Sequence, residues 1–327
     1  ENTWTFAVPE EPNRVKIDSR DAWIKEVVFP QTTEELIFRL RQSNDVLGQS
    51  SAITELVRIA QGSDCSPGTK SAIHGALLET IRGDSYWRIR WIAVGQLQWL
   101  LEPSDGVESI ELDEATVTAL KIAANSDAAW LRAAAISLLG RSYDQRFADT
   151  YLAALADESD RVINAAATAL GRTGISSAYE VLVNLKDKPS WKSQSLIAAL
   201  NGLRELGDPR GYAVALDALT NTRLPRWWLA VPTWDYPIAA VQTIVALGKG
   251  GGAFPLVFER FQKSLEDNDY HDIFSNLLLI ADLGDPRGQQ AFNLLKAKFR
   301  SDANAMAAIQ KFETRFKTAI DSRSQEK

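Results

Sequence analysis

Apolar side chains recur along most of this chain at the spacing of one buried helix face. Alanine- and leucine-rich stretches alternate with polar turns, and charged residues fill the opposite faces. This pattern predicts helices at about 34–42, 50–61, 70–81, 87–101, 131–139, 162–170, 196–206, 238–247 and 276–283. A last helix follows Phe299 and runs to about Ile320, with a frayed end over 321–327. The chain is therefore predicted to be mainly α-helical.

Leu-Gly pairs end five of these stretches at a regular interval. The glycines are Gly140, Gly171, Gly207, Gly248 and Gly284, which lie 31, 36, 41 and 36 residues apart. That interval holds two short helices and two turns, and such a period is the signature of a solenoid. The small side chains before each pair allow neighbouring helices to approach closely.

One hexapeptide, Leu-Gly-Asp-Pro-Arg-Gly, occurs twice, at 206–211 and at 283–288. In each copy the glycine is suited to the left-handed conformation that ends a helix. The aspartate is suited to cap the next helix, and the proline to its first turn, where a missing N–H costs nothing. The hexapeptide therefore predicts a helix-to-helix corner that is used twice.

These corners and the alanine-rich helices that end in Leu-Gly resemble HEAT-type α-helical repeats over about 49–298. The resemblance implies an α–α superhelix, a HEAT-like solenoid, with a C-terminal capping helix. We expect this repeat domain to span 32–327. Such solenoids serve as scaffolds, adaptors and caps, so the fold alone does not specify an activity.

The first thirty residues have a different pattern. Strand-like alternation occurs at 4–8, 14–18 and 23–29, which predicts a short β segment over 1–31. Three short strands make only part of a sheet. Either they pack on the first helices or they are the end of a larger β domain. Because the chain begins at Glu1 rather than Met, we expect it to be a piece of a longer protein.

A second resemblance covers this N-terminal region. Its residues are Trp4-Thr5-Phe6, Glu11-Pro12, Val15-Lys16-Ile17-Asp18, Trp23-Ile24-Lys25 and Glu34-Glu35-Leu36. Their order is similar to the junction between β-sandwich and helical domain in the gluzincin zinc aminopeptidases, the aminopeptidase N-like family. The resemblance implies a non-catalytic C-terminal region that covers the catalytic domain and shapes peptide access. The zinc would then belong to an upstream domain.

The chain itself shows no pattern for chemistry. The H-E-x-x-H motif is absent, and the two histidines, His74 and His271, lie far apart in sequence. Cys65 has no base near it in sequence, and the Gly-rich stretch 248–252 follows a helix and is interpreted as a loop. We therefore expect no catalytic residue, metal ligand or cofactor in this chain.

The stretch 221–237 is the candidate binding segment. Three prolines forbid a regular helix through it, and it combines tryptophan, tyrosine and arginine, the residue types enriched at binding hot spots. Its aromatics either fold back over the groove between helix pairs or form an interface. The candidate binding residues are Arg223, Arg226, Trp227, Trp228, Trp234 and Tyr236. The other tryptophans singled out, Trp87, Trp91, Trp99, Trp130 and Trp191, are interpreted as packing between repeats.

Composition limits the partners. The formal net charge of −6 gives no general attraction to nucleic acid or to an anionic membrane, and no apolar run reaches the roughly 20 residues of a membrane span. A single cysteine excludes an internal disulfide and leaves a cytoplasmic or a periplasmic location open. The expected partner is the catalytic domain of the same polypeptide. The alternative is a free-standing HEAT scaffold that binds a protein or peptide.

Overall fold

The computed structural model describes residues 5, 7–10, 30–41, 45–83, 86–101, 109–220, 235–248 and 250–325. Within these residues there are sixteen α-helices and no strand. The strand-like runs 14–18 and 23–29 lie outside the described residues, and the described part of 4–8 is not a strand. The mainly helical fold class is confirmed, whereas the N-terminal β segment gains no support from the structure.

The chain divides into two compact units, Glu1–Ser142 and Tyr143–Lys327. The first unit contains three antiparallel helix pairs. In each pair the odd-numbered helix packs on the even-numbered helix that follows it. The odd-numbered helices also pack on one another, as do the even-numbered helices, which gives two layers. The helices are α1 (Thr33–Leu40), α2 (Val46–Gln61), α3 (Pro67–Arg82), α4 (Trp87–Leu101), α5 (Glu114–Ala124) and α6 (Ala129–Gly140).

The second unit contains five further pairs. Its even-numbered helices pack on one another in chain order, and we call their shared face the even layer. The helices are α7 (Ala148–Ala154), α8 (Asp160–Thr173), α9 (Ala178–Leu185), α10 (Gln194–Leu206), α11 (Gly211–Thr220), α12 (Asp235–Ala246), α13 (Gly250–Glu266), α14 (Tyr270–Leu283), α15 (Gln289–Lys298) and α16 (Ala303–Gln325).

Many helices begin at a side-chain cap. Thr32 and Glu35 form a reciprocal capping box at the start of α1. Single oxygen caps begin four more helices, because each accepts an otherwise unpaired N–H of the first turn. These caps are Asp45 for α2, Ser66 for α3, Asp113 for α5 and Asp269 for α14.

The core follows the predicted one-sided burial. Small residues such as Ala166 and Ala198 are fully buried in the even layer, while the C-terminal end is filled by phenylalanines. The rings of Phe292 and Phe316 lie 5.0 Å apart between α15 and α16. The last helix therefore packs on the phenylalanines at the C-terminal end of the second unit, and its role as a capping helix stays a prediction. It runs to Gln325, past the end predicted near Ile320.

Both copies of the hexapeptide form the predicted corner. Gly207 and Gly284 end α10 and α14 in the left-handed conformation, with φ of 69° and 55°. The aspartate oxygen accepts the N–H of the arginine two residues later, at 2.9 Å in the first copy and 3.0 Å in the second. The aspartate and proline therefore shape a short turn before α11 and α15 rather than the first turn of the helix itself.

Two predictions about glycines, unlike those for Gly207 and Gly284, were wrong. Gly171 does not end a helix, because α8 continues to Thr173 and the left-handed residue is Gly174. The stretch 250–252, interpreted as loop, forms the first turn of α13. Among the described residues of 248–252, only Gly248 has the left-handed φ that ends a helix.

Candidate functional site

Most of the predicted binding segment lies outside the described residues. This applies to Arg223, Arg226, Trp227, Trp228 and Trp234. The backbone of Tyr236 lies in the first turn of α12. The segment thus separates α11 from α12, and its binding role stays a prediction.

A line of polar contacts crosses the even layer of the second unit, and we call it the polar row. The amide of Asn201 on α10 donates to Asn164 on α8 at 2.8 Å. About one helical turn after Asn201 in α10, the Glu205 carboxylate accepts a hydrogen bond from Arg172 of α8 at 2.8 Å. On the other side, Arg204 donates to the amide oxygen of Gln242 on α12, also at 2.8 Å. The polar row therefore links three successive helices.

The polar row is partly withdrawn from water. The side chains of Arg172 and Glu205 are 22% and 18% exposed, and Arg204 lies 3.5 Å from the same carboxylate. Two guanidinium groups thus share a single carboxylate. Partial burial strengthens these charge-assisted hydrogen bonds, which connect the helices. Because two guanidinium groups face one carboxylate, the polar row also carries a local excess of positive charge.

An open cleft of about 450 Å³ lies where α12, α14 and α16 meet. This volume falls within the range of about 300–1,000 Å³ that is usual for ligand sites. Small and apolar residues form much of the wall, and their short side chains leave space between the helices. The lining residues are Gln242, Val245, Ala246, Asp282, Arg315, Thr318 and Ala319.

A single ion pair lies in the wall of this cleft. Arg315 on α16 donates Nε–H and an Nη2–H to the carboxylate of Asp282 on α14. The Asp282 side chain is 7% exposed, and this burial raises its pKa above the ordinary value while the hydrogen bond from Arg315 opposes that rise. Arg315 itself is 53% exposed. Only two of its five N–H groups have an acceptor among the described residues.

The signal for this cleft lies one residue before the repeated hexapeptide. That position holds Glu205 in α10 and Asp282 in α14. The equivalent position before Leu247-Gly248 holds Ala246. Sequence reasoning recorded the hexapeptide and missed the acidic residue before it. None of the cleft residues was among the predicted sites.

Several tryptophans differ from their predicted role. Trp99 and Trp191 are 58% and 63% exposed, so neither is buried in the core as packing between repeats would suggest. Trp91 and Trp130 do pack across α4 and α6, with ring centroids 5.8 Å apart. Periodicity did not separate Trp91 from Trp99, because apolar residues occupy almost every side of α4.

The candidate chemical groups have ordinary structural settings. His74 Nε2 lies 3.1 Å from the hydroxyl of Thr116, which joins α3 to α5. Cys65 is a half-buried free thiol in the turn before α3. Across the described ranges, no cluster of three or more His, Cys, Asp or Glu has a geometry for a metal ion. Within the same ranges, no helix is long and apolar enough to cross a bilayer.

Helix pairs stacked in two layers define an α-helical repeat protein. A family model described as HEAT repeats matches residues 116–201, from the first turn of α5 into α10. HEAT repeats are therefore present in this part of the chain, as the sequence pattern predicted.

Whole-chain comparisons add little. No curated protein matches the chain at a significant level. The crystal structure of an engineered protein from the Northeast Structural Genomics Consortium is similar at 18% sequence identity, with a TM-score of 0.36. The match covers 87% of this chain and 78% of the engineered one.

Proposed function

We propose that this chain is a non-catalytic HEAT-repeat scaffold that binds a polypeptide on the even layer of its second unit. The observation that carries the proposal is the cleft, in which hydrogen-bond donors without a described acceptor lie beside small apolar residues. A polypeptide offers what this surface lacks, because its backbone carbonyls accept hydrogen bonds and its side chains fill apolar space.

The local charge supports the same proposal. Although the whole chain carries −6, the polar row and the cleft together hold three arginines and two carboxylates. This difference in sign favours electron-rich groups of a partner at this face, while the rest of the surface repels polyanions.

The proposal is tested by photo-crosslinking on the full chain. A photoreactive residue at Ala246, in the wall of the cleft, is exposed to a tryptic digest of casein and the adducts are mapped by mass spectrometry. The control places the same residue at Leu294, which is 48% exposed on α15 of the same unit. We expect peptide adducts at position 246 and few at 294. Equal labelling of the two positions would contradict the proposal.

We further propose that the scaffold is the C-terminal helical domain of a zinc aminopeptidase. The support is the order of residues in 4–6, 11–12, 15–18 and 23–25, together with the helical continuation from Glu34. In that case the polypeptide bound is the catalytic domain of the same protein or the peptide that passes it. The alternative is a free-standing scaffold with a separate partner.

These two versions differ in the natural protein. The first measurement is the intact mass and zinc content of the protein purified from its source. A species far larger than 36.1 kDa that contains zinc would support the aminopeptidase domain. A species near 36.1 kDa without zinc would leave the free-standing scaffold.

A further inference from the structure

One wall residue of the cleft differs from the residue at the same position in the two hexapeptide repeats. The residue before Leu-Gly is acidic in α10 and α14, and each of these carboxylates binds an arginine of a neighbouring even helix. Glu205 binds Arg172, and Asp282 binds Arg315. In α12 this position is Ala246, whose short side chain lines the cleft. The missing side chain leaves the space between α12, α14 and α16.

Two polar side chains around this space, Gln242 and Arg315, keep N–H groups with no acceptor among the described residues, whereas the Thr318 hydroxyl already uses its hydrogen. The Gln242 oxygen already accepts from Arg204, so its amide nitrogen keeps two N–H groups with no acceptor among the described residues. The Thr318 hydroxyl donates to the Thr314 carbonyl at 3.2 Å. The carboxylate in the wall, Asp282, is occupied by Arg315. A complementary ligand therefore brings acceptors, and a negative charge would suit the half-exposed guanidinium.

We propose that this cleft binds the C-terminal carboxylate of a peptide whose last side chain is small and apolar. The inference rests on the proposed function, in which the even layer binds a polypeptide. The carboxylate accepts from the free edge of Arg315 and from the Gln242 amide. The last side chain packs against Val245, Ala246 and Ala319.

The geometry favours a chain end over an acidic side chain. A terminal residue carries its carboxylate and its side chain on the same Cα, so both fit one small cleft. In an extended internal segment, the side chains on either side of an Asp or Glu point to the opposite face. An internal acidic residue would therefore place its charge near Arg315 and leave the apolar wall uncovered.

Asp282 is a positioning residue in this arrangement. Its carboxylate holds the Nε edge of Arg315, which leaves the opposite Nη edge for a ligand. A planar guanidinium held in this way presents two parallel N–H groups, the geometry that a carboxylate accepts in a bidentate manner. Lysine at position 315 would keep the charge and lose this second edge.

The test is fluorescence anisotropy on the full chain with fluorescein-labelled Gly-Ser-Gly-Ala-Val-Ala. Three forms are compared: the free acid, the C-terminal amide, and an amide in which Val is replaced by Glu. We expect the acid to bind at least about tenfold more tightly than either amide, the factor expected for one charge-assisted pair. In Arg315→Gln this preference should disappear, and in Arg315→Lys it should fall, because the ammonium keeps the charge but not the paired N–H edge.

Arg300→Gln is the matched control, since it removes the same charge from an exposed turn after α15. It should keep the preference for the acid. Circular dichroism melts show whether each variant folds, and Arg315→Lys serves if Arg315→Gln does not. Equal binding of acid and amide would overturn the inference and leave the scaffold proposal intact. Tight binding of the Glu-containing amide, or no binding of any form, would also overturn it.

Discussion

A Cβ atom built on Gly171 would lie 2.2 Å from the carbonyl oxygen of Gly202. The two helices α8 and α10 therefore cross with their backbones in direct contact. The reverse holds as well, because a Cβ on Gly202 would lie 2.7 Å from the carbonyl oxygen of Ala167 and 2.5 Å from a methyl of Leu182. Glycine is needed at both positions for packing, although neither has an unusual backbone conformation.

Alanine at either position should destabilise the second unit. Gly171→Ala or Gly202→Ala places a methyl group against backbone atoms of the neighbouring helix, which cannot move aside as a flexible side chain would. We expect a loss of about 1–3 kcal/mol in the free energy of unfolding, the usual cost of overpacking a core. Urea denaturation followed by circular dichroism measures it.

Two exposed helical glycines provide the control. Gly75 on α3 and Gly95 on α4 have no atom within 4 Å of a built Cβ. Alanine there should raise stability by about 0.5–1 kcal/mol, because alanine loses less backbone entropy in a helix. The same loss in all four variants would contradict the close crossing of α8 and α10.

The contrast between Gly171 and Gly207 shows how far the sequence could predict this fold. Both follow leucine at the end of an apolar stretch, so the pattern assigned both to helix ends. It was right for Gly207, where the left-handed conformation is a local property. It was wrong for Gly171, because the need for glycine comes from a helix that lies thirty residues further along the chain.

The cleft could not be predicted from the sequence for a similar reason. Its walls come from α12, α14 and α16, and the space exists because Ala246 stands where two other repeats have a carboxylate. Periodicity predicted each of these helices. Periodicity did not predict which side chains of the three helices meet. These contacts decide whether the space between the helices is closed by an ion pair or stays open.

The two corner glycines should respond differently to substitution. Alanine at Gly207 meets only the strain of the left-handed conformation, since no atom lies within 4 Å. Alanine at Gly284 meets the same strain and also lies 2.8 Å from the Cβ of Ala319 on α16. We expect Gly207→Ala to cost about 1–2 kcal/mol in unfolding free energy and Gly284→Ala to cost clearly more.

Ala319→Gly tests the origin of that difference, because it removes the methyl group that Gly284→Ala meets. In a double-mutant cycle, part of the extra cost should be recovered. Purely additive free energies from urea denaturation would mean that the Ala319 methyl group does not cause the extra cost.

The arginine of each corner should matter through its stacking. Arg210 lies 3.8 Å above the ring of Tyr179, and Arg287 lies 4.7 Å above the ring of Phe254. The aspartate two residues earlier holds each guanidinium by paired hydrogen bonds. Lysine keeps the charge and loses both the paired geometry and the flat contact, so Arg210→Lys and Arg287→Lys should lower the melting temperature.

Arg58 is the comparison for the corner arginines, since it pairs with Glu55 on the exposed face of α2 with no ring beneath it in the described structure. Arg58→Lys should leave the melting temperature nearly unchanged. A melting temperature as low as that of the corner variants would show that loss of the guanidinium alone, without stacking, accounts for the effect.

Stability in acid should depend on Glu313. Its carboxylate accepts from Lys296 at 2.7 and 2.8 Å and from Gln289 at 3.2 Å, and the hydrogen bond from Lys296 lowers its pKa below the ordinary value. Because the folded pKa lies below the unfolded one, the contribution is complete above the unfolded pKa. It is lost as the pH falls through the folded pKa.

Glu313→Gln should therefore lower the unfolding free energy at neutral pH by about 1.5–3 kcal/mol, the range for hydrogen bonds to charged groups. The difference from the wild type should shrink in acid and vanish below the folded pKa of Glu313, because the wild-type carboxyl is then neutral, as the amide of the variant is at every pH. Urea denaturation across a pH series measures this convergence. Glu259→Gln, on the exposed face of α13, should track the wild type throughout. A Glu313→Gln deficit that stays constant into acid would assign the loss to packing rather than to charge.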